Sequence, residues 1–103
     1  MTFENWGFIY LGVGTEGPTV DRAVIENGGL RTTIVAVPEK SAVVQVAVEL
    51  VDGGAQSIEL CGAFGPVWAA RVIKAIGGRV PVGSVAYGME SVPSLAAMFA
   101  PTT

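Results

Sequence analysis

A chain of 103 residues holds one domain and is too short for two with separate cores. Half of it is apolar and only 15% is charged, against roughly a quarter in an average soluble domain, which excludes disorder and points to a homo-oligomer that hides an apolar face. Its net charge of −3 comes from nine acids and six scattered bases, and no apolar run nears the roughly 18–20 residues that span a bilayer, so nucleic acid and membrane are both excluded as partners.

In chain order, residues 6–13, "WGFIYLGV", form a short apolar and aromatic run ending in glycines, the pattern of a buried strand. Residues 19–29, "TVDRAVIENGG", read as a short helix. Thr19 is its N-cap, Arg22 and Glu26 are an i,i+4 pair, and Asn27-Gly28-Gly29 is the stop. Residues 30–37, "LRTTIVAV", are β-branched and strand-like, closed by Pro38. The segment 41–54 is ambiguous, because Val44, Val46, Val48 and Leu50 alternate as a strand would. Its polar residues Ser41, Gln45, Glu49 and Asp52 nevertheless form one helical stripe, and Gly53-Gly54 ends it, so a helix is expected.

Residues 57–64, "SIELCGAF", run as a strand into a glycine loop. Residues 65–78 give the clearest helix, with Pro66 in its first turn and a glycine pair at its end. A last strand covers residues 79–88, and a short terminal helix covers residues 90–100 with Ser91 as its cap. Strand and helix thus alternate four times, which implies an α/β fold. The expected sheet is four-stranded and mainly parallel, in the order 2-1-3-4 of a truncated flavodoxin-like fold, with two helices on each face. A ferredoxin-like α+β sheet is the alternative, since the first helix is short enough to be a loop.

Ligands of open α/β sheets bind beyond the carboxyl ends of the strands, where the strand order reverses. Here that point lies between the loops 12–19, "GVGTEGPT", and 61–66, "CGAFGP". Gly12, Gly14 and Gly17 match G-x-G-x-x-G, and Glu39 follows 22 residues after Gly17. Pro18 and the shortness of the following helix favour an ordinary glycine turn, so no cofactor is assigned. In the second loop, the N–H groups of Gly65, Val67 and Trp68 open a helix and are candidate donors to a small anion. The candidate ligand-binding set is therefore Gly12, Gly14, Thr15, Cys61, Gly62, Phe64, Gly65, Tyr87 and Glu90.

The absence of histidine excludes Ser-His-Asp, Cys-His and His/Cys zinc chemistry within one chain, and no metal site is expected. Two catalytic candidates remain. Cys61, the lone cysteine, is a nucleophile only if the helix start activates it, and an inert core thiol otherwise. Glu59 lies two residues away on the same strand face, as a general base, a ligand anchor or the partner of Arg31 or Arg79. Three readings follow: a domain binding an anionic or polar small molecule, a small enzyme using Glu59 or Cys61, and a structural homo-oligomeric subunit without a ligand. The opening "MTFENWGF" lacks the regions of a signal peptide, and one cysteine suits a reducing compartment, so a cytoplasmic protein is expected.

Four stretches, "RAVIE" (residues 22–26), "IELCGAFGP" (58–66), "RVPVG" (79–83) and "YGMES" (87–91), together resemble a family of small uncharacterised bacterial proteins of about this length. The resemblance implies a stand-alone cytoplasmic domain and brings no activity, cofactor or catalytic residue.

Overall fold

The computed structural model describes residues 2–12 and 20–101; most of the first glycine loop, including Gly14 and Thr15, lies outside them. Strand β1, Asn5–Leu11, is central. Along it Gly7 and Ile9 are buried while Trp6, Phe8 and Tyr10 point to the opposite face, as a period of two requires. On one side β1 pairs in parallel with β3, Leu30–Val37, from Asn5↔Arg31 to Leu11↔Val37. On the other it pairs in parallel with β4, Ser57–Cys61, and β4 pairs in parallel with β5, Val82–Val85.

Residues 19–29 do not form the expected helix. Asp21–Asn27 is a strand, β2, antiparallel to β3 at the sheet edge. The cause is the Gly28-Gly29 pair, with φ of +63° and +83°. Two successive positive φ values build a two-residue hairpin loop whose twist matches the strands, and Asn27 faces Leu30 across it. Arg22 and Glu26 consequently have separate partners. Arg22 reaches Glu49 at 2.7 Å, and Glu26 lies 3.9 Å from Arg31 across the hairpin. The sheet has five strands in the order β2-β3-β1-β4-β5, differing from the expected four by this added edge strand. Its parallel pairs exclude the ferredoxin-like alternative.

Helix α1, Ala42–Asp52, follows β3, and α2, Gly65–Ala75, follows β4. Both crossovers step across the sheet in the same direction, so right-handed connections place both helices on one face, where they touch each other. Between them and the sheet lies the core. Ile9, Val35, Val37, Val43, Ile58, Leu60, Val72 and Ile76 are essentially inaccessible there. The expected arrangement of two helices on each face is not formed, because residues 19–29, the expected first helix, became β2. A 3-10 turn at Met89–Ser91 leads into α3, Val92–Met98, which buries none of its residues.

One side chain fastens the N-terminal segment to this frame. Gln56 accepts from the Glu4 and Asn5 N–H groups at 2.7 and 2.9 Å, and its amide donates to the Thr2 carbonyl at 2.9 Å. These bonds are solvent-accessible in part, so Gln56→Ala is expected to cost about 1–2 kcal/mol. Chemical denaturation measures that loss. Hydrogen exchange accelerated at Glu4 and Asn5, with β4 unchanged, would place it at the clip.

Candidate functional site

Because β1 and β4 are adjacent and parallel, both chains leave the sheet at the same edge. The Gly12 N–H donates to the Val37 carbonyl at 2.9 Å, and the Leu11 N–H points at Cys61 Sγ at 3.3 Å. After Cys61 the chain makes a 3-10 turn, Gly62–Phe64, and enters α2 directly. Two different constraints fix the glycines of this turn. A Cβ on Gly62 would stand 2.6 Å from the Val85 carbonyl oxygen, so the backbones of two strands approach over it. Gly65, at φ +75° and ψ 175°, occupies a region essentially closed to other residues. Phe64 between them drops into the core at 2% exposure.

The turn forms one wall of a cleft of about 420 Å³. Leu11, Cys61, Gly62 and Ala63 line the sheet side, Ala86 and Tyr87 the strand exit, and Val92, Leu95, Met98 and Phe99 the α3 side. Apolar side chains dominate it, and Tyr87 supplies the only phenol. Of the residues singled out from sequence, Cys61, Gly62 and Tyr87 line this cleft and Gly12 adjoins Leu11. Gly65 does not line it, and its N–H already donates to the Gly62 carbonyl, which removes one of the three donors considered for an anion. Trp68 stands beneath the Arg71 guanidinium, 4.4 Å from its ring centre, on α2. Glu90 sits on the exposed turn before α3, its carboxylate folded over Gly88.

Glu59 lies elsewhere. Alternation along β4 buries Ile58 and Leu60 under the helices and sends Ser57, Glu59 and Cys61 to the other face. Neither ion pair considered for Glu59 forms. Arg31 lies near Glu26, and Arg79 binds Asp52 at 2.9 Å while donating to the Ile76 carbonyl at 2.8 Å. Glu59 is half-buried with no ion-pair partner among the described residues, and its cross-strand neighbours are Phe8 and Gly83. Residues 21–27, expected as part of a covering helix, form the edge strand β2 instead and do not cover it.

Sequence reasoning missed the α3 wall. Its signal was a terminal helix, "VPSLAAMFA", with almost no polar face of its own. A second, smaller depression of about 230 Å³ lies on the helix side near Asn5, Arg22, Arg31, Thr33 and Glu49. Its two arginines are balanced by Glu49 and Glu26, so it offers little net charge to a ligand. Among the described residues no three acids or cysteines gather as metal ligands, and no helix is long and apolar enough to cross a membrane.

No curated protein matches this chain. The profile of a family of unknown function, DUF6506, matches residues 4–100, nearly the full length of the cleft-bearing sheet and its helices, and the chain belongs to that family.

Proposed function

We propose that the chain is a cytoplasmic, homo-oligomeric domain that binds a small molecule in the cleft at the carboxyl ends of β1 and β4. The observation that supports this reading is the cleft itself. Its volume of about 420 Å³ falls within the usual range of ligand pockets, and it opens where parallel sheets take their ligands. The lining selects for a mainly apolar body with one hydrogen-bonding group directed at Tyr87. A strongly anionic ligand suits it less, since no Lys or Arg lines the cleft and the Gly65 N–H is engaged.

A thermal-shift screen tests this with three sets: neutral aromatic alcohols, medium-chain alcohols and phosphorylated sugars. A ligand at a hundredfold its Kd stabilises by about 2.7 kcal/mol, a rise of about 10 °C or more for a domain of this size. That rise is expected from members of the first two sets and not from the third. Leu95→Arg, which puts a charge into the α3 wall, is expected to abolish it. No shift with any apolar compound, or an undiminished shift in Leu95→Arg, would remove this reading.

A further inference from the structure

Among the described residues, none of the side chains on the sheet face opposite α1 and α2 is fully buried. Trp6, Phe8 and Tyr10 run down its central strand, flanked by Thr32, Ile34 and Ala36 on β3 and by Ser57 and Glu59 on β4. Ala23 and Ile25 extend it over β2, and Val85 over β5. None of these residues is buried, and Ile25 and Val85 are 53% and 51% exposed. Charge is segregated in the same sense. All six bases sit on the helix side or its flanks: Arg22 and Arg31 on the helix-facing side of the hairpin, Lys40 before α1, Arg71 and Lys74 on α2, and Arg79 after it.

We infer that a second copy of this chain docks on the open face, sheet against sheet, with the Trp6–Phe8–Tyr10 row at the centre of a twofold interface. This gives the homo-oligomer of the preceding reading its surface, and it does not depend on the cleft. Three features favour a second copy over another partner. The face carries no base, so neither a nucleic acid nor an anionic surface has anything to bind. Its largest side chains, aromatic residues of the kind that dominate interfaces, lie on the central strand. Its size also fits. Strands of 7, 7, 8, 5 and 4 residues, at about 3.3 Å per residue and about 4.8 Å apart, give a flat footprint near 490 Å², which side-chain relief raises towards the roughly 800 Å² per partner of a stable dimer. Twisted sheets pack face to face about 10 Å apart, at about −30°. Setting β1 over its counterpart, with β3 of one copy above β4 of the other, keeps the two Glu59 carboxylates from facing each other.

Analytical ultracentrifugation of the full chain tests this. The wild type is expected to be a dimer with Kd of about 1 μM or tighter, and Phe8→Lys to weaken it about 100-fold with its circular dichroism unchanged. Tyr10→Lys, at a more exposed point of the same row, repeats the test if Phe8→Lys does not fold. Ile73→Lys, on the exposed side of α2, is expected to leave the dimer intact. A wild type monomeric at its highest soluble concentration would overturn both this interface and the homo-oligomer. A dimer broken by Ile73→Lys and indifferent to Phe8→Lys and Tyr10→Lys would overturn this interface while the homo-oligomer stands. Ligand-induced thermal shifts are read separately, on Leu95→Arg, so a failure of the cleft does not pass for a failure of the interface.

Discussion

Gly62→Ala is expected to destabilise the protein by about 3 kcal/mol, although it adds a single methyl group to an exposed position. The methyl would lie 2.6 Å from the Val85 carbonyl oxygen and 3.7 Å from its carbon. Oxygen and carbon cannot share that space, and neither atom belongs to a side chain that can rotate away. Relief requires β5 to move off β4 at Cys61↔Val85, the last pair of their ladder. Gly62 is not left-handed, so backbone strain contributes nothing to the effect, which is purely one of close approach. A loss of about 3 kcal/mol lowers Tm by about 10–20 °C in a domain of about 100 residues. Scanning calorimetry reads the shift, with Ala63→Ser, next door and exposed, expected to stay within about 0.5 kcal/mol. Because Gly62 lines the cleft and Val85 precedes Ala86 in its wall, any Gly62→Ala protein that survives is also expected to bind the cleft's ligand more weakly. A Tm unchanged within 2 °C, measured against the about 4–8 °C that each kcal/mol produces, would mean that β5 yields freely there.

The parts of the fold that were legible in the sequence are those with one wet side and one dry side. Ser41, Gln45, Glu49 and Asp52 mark the wet side of α1, and Val43, Val46, Ala47 and Leu50 are dry, so the stripe read correctly against a competing alternation. The hairpin strand β2 was illegible for the opposite reason. All seven of its residues are exposed, so no burial imposes a period of two on them. Arg22 and Glu26 then imitate a helical pair. The informative residues were Gly28 and Gly29, which fit a helix stop and a two-residue hairpin equally well until a partner strand is known. Everything on the open face follows from that one segment, including the solvation of Glu59. At the candidate site, Cys61, Gly62 and Tyr87 were reachable because topology alone brings strand ends together. Leu95, Met98 and Phe99 were not, because α3 reaches the cleft through tertiary placement that no periodicity within seven residues encodes.

Gly7→Ala is expected to cost about 2–3 kcal/mol, and its coupling to Ile58 gives the cause. A Cβ at Gly7 would meet Ile58 Cδ1 at 2.9 Å and Leu50 Cδ1 at 3.0 Å, in a core where Ile58 is wholly inaccessible. Ile58→Val deletes the first of those atoms and on its own costs about 0.5–1.5 kcal/mol. In the double variant the new methyl occupies the space that Cδ1 leaves, so the summed penalty is expected to fall short of additivity by about 1 kcal/mol. Urea denaturation of the four proteins in the cycle measures it, and strict additivity would show that the sheet and α1 separate instead of repacking. The result bears on function as well as stability. Beneath α1, β1 offers only a hydrogen atom at Gly7, with Ile9 buried beyond it, while Trp6, Phe8 and Tyr10 are directed to the opposite face. A strand with a glycine and a wholly buried isoleucine on its core side and three aromatic side chains on the other carries the near-continuous apolar run typical of strands covered on both faces. With α1 drawn down onto Gly7 on one side, the aromatic row on the other is the surface that the proposed twofold contact would bury.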